Sequence, residues 1–459
     1  MFCRRLWPLI DRGRLAHLLE RERASYKDRN PRSLDAYTSS RHLFGRVPMT
    51  WMNKAAGGFP VYAAKARGAR VEDIDGHVLI DFCLGDTGAM AGHSPQPVVD
   101  AVVEQVAQRG GVTTMMPTVD AAWVGAELTR RFGLPYWSFS LTATDANRWA
   151  IRLARAITGR PKILVNSYCY HGTVDETLIV VGPDGQGASR DGNVGAPTDV
   201  RTTSRVAEYN DLEGLERELA HRDVAAVLME PALTNIGIVL PREGYLAGVR
   251  ALTKTYGSLL INDETHTFSA GPGGCTRAWA LAADMLTIGK AIAGGIPIGA
   301  YGLSADLADH LANRSDLDMI DVGGVGGTLA GNPLSIAAAR ATLEHVLTDK
   351  AFERMIALAE RFTAGVQQVI DSHELPWSVS RLGARTEYRF ASPAPLNGSE
   401  SHDATDVVLE DYLHVYLANR GILMTPFHNM ALMSPATVKE DVDRHHEVFS
   451  EAVGELVGG

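Results

Sequence analysis

Residues 259–303 read LLINDETHTFSAGPGGCTRAWALAADMLTIGKAIAGGIPIGAYGL, and the organisation of the whole chain follows from this segment. One apolar run leads to Asp263, and a second run, Met285–Ile288, ends just before Gly289 and Lys290. Both runs are typical of buried strands, and open α/β sheets carry their active sites at the carboxyl ends of such strands. The segment therefore predicts an α/β fold that presents an acid and a lysine at neighbouring strand ends.

The chemistry expected of Lys290 follows from its surroundings. The loop after it, Ala291–Gly295, consists mainly of small residues, and an apolar setting favours the uncharged form of an amine. An uncharged amine forms a Schiff base with an aldehyde. Pyridoxal 5'-phosphate (PLP) supplies such an aldehyde, and it needs a carboxylate beside its pyridine nitrogen, which Asp263 can provide. Lys290 and Asp263 are therefore the candidate catalytic residues of a PLP enzyme.

These motifs resemble the class III PLP-dependent aminotransferases, in particular the branch that contains glutamate-1-semialdehyde aminomutase and the β-amino-acid aminotransferases. The resemblance rests on Asp263, Glu264 and the run GKAIAGGIPIGA at Gly289–Ala300. It implies a fold-type I transferase, with a large domain around a mostly parallel central sheet and a smaller α/β domain. The chain has Thr265 and Phe268 where the family carries an aliphatic residue and a glycine.

Other motifs indicate where the phosphate and the ring of the cofactor bind. The strand-like run Tyr136–Leu141 leads into a helix start that contains Ala143 and Thr144, and a helix N-terminus offers backbone N–H groups to a phosphate. The family carries Ser-Gly-Thr-Glu-Ala at this place. The resemblance further implies that Tyr170, which precedes His-Gly, lies against the pyridine ring, and that Glu230 of a Glu-Pro pair has a role on the cofactor side.

A glycine-rich segment indicates the state of assembly. Thr328 lies in a run that resembles the family motif Gly-Gly-Thr-x-x-Gly-Asn-Pro. In the family this threonine reaches the cofactor phosphate of the neighbouring subunit, so the resemblance implies a homodimer. A nucleotide-binding loop is the other reading of such glycines, but the chain has no GxxxxGK[ST] motif.

Three segments are predicted from the patterns along the chain. Residues 1–75 form an N-terminal segment that joins the small domain, residues 76–335 form the large PLP-binding domain, and residues 336–459 form the C-terminal small domain. A charged helix is expected to close at Asn30, because a following proline disfavours helical geometry. The small domain is expected to contain two amphipathic helices, a strand at Thr386–Phe390, a loop near residues 393–403 and a final helix.

The composition is that of an ordinary globular enzyme. The chain has 459 residues, 45% of them hydrophobic and 21% charged, and a net charge of −10, which gives no support to nucleic-acid binding. No run is apolar enough to span a membrane, and the run at Leu6–Ile10 is too short for a secretory signal. The four cysteines form no CxxC pair. We therefore expect a cytoplasmic protein with small-molecule partners and no metal.

Arg41 and His428 are the candidate substrate-binding residues. Around Arg41 the chain resembles the β-amino-acid aminotransferases, in which the corresponding arginine holds the substrate carboxylate. Those relatives carry a second arginine where this chain has Phe427 and His428. The prediction is an aminotransferase that moves an amino group from a bulky or aromatic amine or β-amino acid to a 2-oxo acid through a Lys290 Schiff base. The alternative is a glutamate-1-semialdehyde-type 2,1-aminomutase.

The sequence argues against two alternatives to a PLP enzyme. A metal-dependent hydrolase would use Asp263, Glu264 and His266 as ligands, but adjacent residues of a strand face opposite sides of the sheet. No HExxH motif supplies the remaining ligands. A pseudoenzyme that keeps only the fold is disfavoured because the lysine, the aspartate and the threonines are all retained.

Overall fold

The computed structural model describes residues 10–195, 199–320 and 322–458, so most of the apolar run predicted at residues 6–10 lies outside it. The chain forms two compact units. Unit 1 consists of Met1–Ser94, Glu353–Ala394 and Asp403–Gly459. Unit 2 consists of Pro95–Phe352 and Pro395–His402.

The strands of the described residues are short, as is usual in α/β enzymes. They are β1 Ala63–Arg67, β2 Arg70–Asp73, β3 Val78–Asp81, β4 Tyr136–Ser140, β5 Lys162–Asn166, β6 Ile179–Val181, β7 Gly187–Ser189, β8 Ser204–Ala207, β9 Val224–Met229, β10 Leu259–Asp263, β11 Met285–Ile288, β12 Gly299–Leu303, β13 Ser378–Leu382, β14 Arg385–Arg389, β15 Ile422–Leu423 and β16 Met430–Leu432.

The α-helices of the same residues range from a single turn to long helices on the surface. They are α1 Arg12–Arg29, α2 Pro31–Ser39, α3 Gln96–Glu104, α4 Val119–Phe132, α5 Ala143–Thr158, α6 Leu212–Leu219, α7 Tyr245–Tyr256, α8 Gly274–Ala278, α9 Ala305–Ala312, α10 Pro333–Ala341, α11 Asp349–Ser372, α12 Gly398–Asp403, α13 Val407–Asn419 and α14 Lys439–Val457.

Unit 2 is built on a seven-stranded sheet with the order β4-β12-β11-β10-β9-β5-β8. Neighbouring strands are parallel except at β12, which is antiparallel to both β11 and β4. β9 is buried along its whole length, as expected for an inner strand of a sheet that is covered on both faces. These observations confirm the predicted α/β class with a mostly parallel central sheet.

Helix α5 shows how the sequence brings a helix close to this sheet. Its buried face includes Ala146, Ala150 and Ala154, and none of these three residues is exposed to solvent. Small side chains allow a close approach of the helix to the strands. The N-terminus of α5 follows directly from β4, so it lies at the carboxyl end of that strand.

Unit 1 contains a four-stranded sheet, with the order β1-β2-β3-β15, and a three-stranded sheet, with the order β13-β14-β16. Strands β2 and β3 form the hairpin expected at Asp75-Gly76, and β15 pairs in parallel with β3. Because β3 shares a sheet with a strand from the C-terminal part of the chain, unit 1 extends to Ser94 rather than to the predicted residue 75. The second boundary lies at Phe352, whereas 335 was predicted.

Some helices in the N-terminal and C-terminal parts of the chain differ from the sequence prediction. α1 ends at Arg29, as expected, but Pro31 starts a new helix because proline suits the first helical position. The loop predicted near residues 393–403 contains α12, and α13 was not predicted. α13 buries residues around most of its circumference and packs against α1. No helix in the described ranges is long and apolar enough to cross a membrane.

Candidate active site

Asp263, the last residue of β10, is buried and surrounded by hydrogen-bond donors. Its Oδ2 atom accepts hydrogen bonds from His171 Nδ1 at 2.9 Å and from Asn147 Nδ2 at 2.8 Å, and its Oδ1 atom accepts one from the backbone N–H of Thr265 at 3.0 Å. Burial by itself raises the pKa of a carboxyl group, but the hydrogen bond and charge of His171 outweigh it and lower the pKa of Asp263 to about 2. The carboxylate is therefore ionised near neutral pH.

The side chains that bind the Asp263 carboxylate are themselves held by further hydrogen bonds. Asn147, on α5, also donates to the backbone carbonyl of His171 at 3.1 Å and accepts from Thr287 Oγ1 at 2.6 Å. Burial opposes a charge on His171, yet the neighbouring Cys169 and Asp263 raise its pKa above the usual histidine range. No motif in the sequence indicates a role for Asn147 or Thr287. Their only signal is that they are polar residues among apolar neighbours on a buried helix face and in a buried strand.

Lys290 begins the turn that follows β11. Its φ angle is +49°, a left-handed conformation that costs energy for a residue with a side chain and that occurs most often at functional sites. The next three residues, Ala291–Ala293, are fully buried, so the turn is anchored in the core. The Lys290 Nζ atom lies 2.8 Å from Nε2 of the buried His266.

The first turn of α5 forms a compact cradle with two glycines. The Thr142 side chain caps the helix by accepting from the backbone N–H of Asp145, and the N–H groups that precede Asp145 have no acceptor within the helix. A Cβ atom on Gly172 would lie 2.0 Å from Thr144 Oγ1, and one on Gly289 would lie 3.1 Å from the Ala143 nitrogen. The backbone after His171 and the backbone before Lys290 thus both approach this helix start.

The other predicted cofactor residues also lie in unit 2. Tyr170 is partly exposed and precedes His171. Glu230 follows β9, is buried and accepts a hydrogen bond from the Thr234 hydroxyl. Thr328 lies in an exposed loop between α9 and α10.

The predicted substrate residues belong to unit 1. Arg41 is exposed and follows α2. His428 is 5% exposed, and its Nδ1 atom lies 3.0 Å from Glu387 Oε1. Burial favours the neutral form of Glu387, but the positive charge and hydrogen bond of His428 lower the pKa of this carboxyl group. No pattern in the sequence predicts the contact between His428 and Glu387, because the two residues come from different segments of unit 1.

Glu264 has a different function from the acid that precedes it. Its side chain accepts hydrogen bonds from the backbone N–H groups of Cys275 and Thr276, at 3.1 and 2.5 Å, and from the hydroxyl of Thr267. It therefore fixes the loop after β10 and points away from the groups that bind Asp263. Among the residues that the structure describes, no group of three or more His, Cys, Asp or Glu residues could hold a metal ion.

The donors and acceptors of this site fit PLP. The cradle at Ala143 and Thr144 offers backbone N–H groups to a phosphate. The ionised Asp263 is suited to keep a pyridine nitrogen protonated, and the Lys290 amine is of the type that forms a Schiff base with an aldehyde.

The chain is similar to known proteins over most of its length. The aminotransferase class-III family model matches residues 51–453. A glutamate-1-semialdehyde 2,1-aminomutase from Desulfitobacterium hafniense (strain DSM 10664 / DCB-2) is 34% identical over 402 residues, which are 85% of this chain and 90% of that protein.

Two solved structures extend the comparison to the fold. A lysine-to-alanine variant of a glutamate-1-semialdehyde-aminomutase from Pseudomonas aeruginosa PAO1, in complex with PMP, is 46% identical, with a TM-score of 0.95 over 97% of this chain and 99% of that one. An omega-transaminase from Sphaerobacter thermophilus is 28% identical, with a TM-score of 0.83 over 93% and 98% of the two chains. The match to the family model, together with a buried acid and a lysine at adjacent strand ends, shows that this chain belongs to the class-III aminotransferases, which are PLP-dependent enzymes of fold type I.

Proposed function

We propose that the chain is a 2,1-aminomutase that acts on glutamate 1-semialdehyde or a close analogue. The observation that carries this proposal is the similarity over nearly the full length to the aminomutase from Pseudomonas aeruginosa, at 46% identity. The curated relative from Desulfitobacterium hafniense has the same named activity. The similarity supports the aminomutase better than the aminotransferase with a bulky donor, which the sequence motifs favoured.

The proposed roles of the residues follow from the site geometry. PLP, when bound, supplies the aldehyde and the electron-accepting ring. We assign to Asp263 the protonation of the ring nitrogen, because its low pKa keeps the carboxylate charged. The Lys290 amine holds the cofactor covalently and moves a proton during the reaction. Ala143 and Thr144 bind the phosphate, Tyr170 lies against the ring, and Glu230 is assigned to the cofactor side.

Arg41 is the proposed anchor for the substrate carboxylate. Glutamate 1-semialdehyde carries one carboxylate, and a hydrogen bond to a charged group is worth about 1.5 to 3 kcal/mol. His428 is assigned to the wall of the substrate pocket. Its imidazole already bonds to Glu387, so we assign it a contact with the substrate rather than the binding of a charge.

A second candidate is an aminotransferase with a bulky or aromatic donor and a 2-oxo acid acceptor. One observation favours it: in unit 1 the rings of Trp51 and Phe427 meet edge to face at 5.0 Å, and Lys54 lies over the Phe427 ring. Aromatic side chains of this kind provide an apolar surface for a bulky donor. The structural neighbour from Sphaerobacter thermophilus is an omega-transaminase, which is an enzyme of this reaction type.

The two candidates differ in whether the amino group leaves with a second substrate. We expect PMP-loaded protein to convert glutamate 1-semialdehyde to 5-amino-4-oxopentanoate, the product of moving the amino group to the aldehyde carbon, without any added 2-oxo acid. Mass spectrometry of the product and absorbance of the cofactor check this. Lys290→Ala serves as the inactive control.

The second candidate predicts another result in the same experiment. In that case a donor alone converts the PLP form completely to the PMP form, and turnover starts only when a 2-oxo acid is added. Absence of the rearranged product under both conditions contradicts the aminomutase proposal.

A further inference from the structure

The contact between Lys290 and His266 arises from the register of two parallel strands. In the β10–β11 pair, Asp263 lies opposite Thr287. The backbone N–H of Glu264 donates to the Thr287 carbonyl at 2.8 Å and extends the pairing by one step. His266 and Lys290 each follow the paired position by three residues. Both side chains therefore lie just beyond the carboxyl ends of β10 and β11, next to each other.

The backbone segments that carry His266 and Lys290 are both packed in the core. His266 precedes a short 3₁₀ turn, Thr267–Ala270, in which Thr267 and Phe268 are fully buried. The N–H of Ser269 donates to the His266 carbonyl at 3.2 Å. Lys290 starts its own turn, with the fully buried Ala291 next to it. The 2.8 Å distance between Nζ and Nε2 is therefore a property of the sheet edge and not of a surface loop.

The distance restricts the protonation of the pair. A bond of this length needs a lone pair on one of the two nitrogens. In an ammonium group beside an imidazolium group neither of the two nitrogens has a lone pair for this bond, and two like charges are in contact. The pair therefore contains at least one neutral group. Whichever of the two nitrogens donates, the hydrogen bond to the imidazole restrains the lysine amine.

We propose that His266 is a positioning residue that holds the Lys290 amine whenever this amine is not bonded to the cofactor. The inference rests on the proposed role of Lys290 as the reactive lysine. While the amine is not bonded to the cofactor, it must transfer a proton, and it can do so only from one position in the site. A lysine side chain, however, has many rotamers. The bond to His266 selects among them. In the cofactor-free protein the same bond slows attack by Nζ on an external reagent.

The test measures the reactivity of Lys290 without turnover. Full-length protein freed of cofactor is labelled with limiting acetic anhydride at one mildly alkaline pH, and peptide mass spectrometry gives the rate at Lys290 relative to the exposed Lys254. The variants are His266→Leu, His266→Asn and His266→Gln. Glutamine keeps a polar atom close to the position of Nε2, whereas asparagine is one methylene shorter and leucine has no polar atom.

We expect Lys290 to be labelled about two to ten times faster in the leucine and asparagine variants, the range that corresponds to the loss of one hydrogen bond. The glutamine variant should remain within about twofold of the native protein, because the bond is restored. Equal labelling of Lys290 in the native, leucine and asparagine proteins overturns the proposal, and so does a glutamine variant that reacts as fast as asparagine.

Two further measurements separate the proposed effect from misfolding and test it by an independent rate. Thermal unfolding identifies a variant that does not fold, and the asparagine and glutamine pair decides the question if leucine is not tolerated. The rate at which cofactor-free protein captures PLP covalently, followed by visible absorbance, must rank the variants in the same order. If Lys290→Ala retains full turnover, the proposed role of Lys290 in the reaction fails, whereas the change in Lys290 labelling that the His266 variants cause is unaffected. Absence of the rearranged product contradicts the aminomutase proposal and leaves that labelling result unchanged.

Discussion

At the scale of single residues, Asp263 is an acid that remains charged although it is 3% exposed. Burial of a carboxylate is costly unless hydrogen bonds replace the lost water. Here His171, Asn147 and the backbone of Thr265 supply them. A charged group held in this way can stabilise a nearby positive charge without reorganising, which is the requirement for keeping a ring nitrogen protonated.

Replacing Asp263 by asparagine keeps the shape of the side chain and removes its charge. We expect kcat to fall by at least about a hundredfold, because the charge acts on the reacting ring, while the cofactor still binds. The measurements are steady-state kinetics and cofactor absorbance. Thr287→Val is the matched control, since it removes one hydrogen bond from Asn147 and should cost about two- to tenfold. A kcat of the asparagine variant near that of the native enzyme would show that another group tunes the ring.

The sequence predicted Asp263 and Lys290 because each follows an apolar run, a pattern that can be read locally. It did not predict the bonds that hold them. Asn147 and His171 reach Asp263 from other segments of the chain, and the contact of His266 with Lys290 depends on strand register. Such contacts depend on tertiary structure, and no spacing along the sequence encodes them.

At the scale of elements, the first turn of α5 and the segment after His171 fit together without spare room. Gly172 has a φ angle of +80°, and a Cβ atom there would lie 2.0 Å from Thr144 Oγ1 and 2.9 Å from the Thr144 Cα atom. The close approach to the backbone of α5 means that a rotamer change of Thr144 cannot make enough room. The glycine therefore sets the position of the proposed phosphate cradle.

Gly172→Ala should push the start of α5 away from the sheet edge. We expect a loss of stability of about 2 to 4 kcal/mol and a weaker affinity for PLP. Calorimetry and titration with PLP measure these effects. Gly185→Ala is the matched control: this glycine has a φ angle of +76° with no atom within 4 Å of the added Cβ, so it tests backbone strain alone. Equal effects of the two variants would contradict a special role of the cradle.

Most of the elements near the site were predicted, because β9, β10 and β11 are apolar runs with polar ends. α13 was missed for a physical reason. Apolar residues surround most of its circumference, so it lacks the amphipathic period that identifies a surface helix. Strands β15 and β16 are too short to give a periodic signal.

At the scale of the whole molecule, the loop that carries Thr328 is unusual for a monomer. Ile320 and Val322 are almost fully exposed, and Leu329 is half exposed. Exposed apolar side chains that are close together in a chain mark surfaces that other proteins cover. We propose that a second copy of the chain covers this loop and that Thr328 of the partner subunit completes the phosphate site.

Separation of the subunits should therefore release the cofactor. We expect the double variant Ile320→Asp and Val322→Asp to sediment as a monomer and to bind PLP at least about tenfold more weakly, a loss of about 1.4 kcal/mol. Sedimentation recorded at the cofactor absorbance measures both effects. Val194→Asp, an equally exposed apolar position on another loop, is the control and should change neither. A monomer that keeps full cofactor occupancy would rule out the shared site.

The division of unit 1 between the two ends of the chain has a consequence for biosynthesis. Helix α1 leaves the ribosome before unit 2 is made, but α13 and α14, against which it packs, are translated after all of unit 2. Asn419 on α13, whose side chain donates a hydrogen bond to Glu22 on α1, is likewise translated after unit 2. Until then the apolar face of α1 lacks these two partners. Domains generally fold as units during synthesis, so unit 2 can fold first, whereas unit 1 is completed only after α14 has been translated.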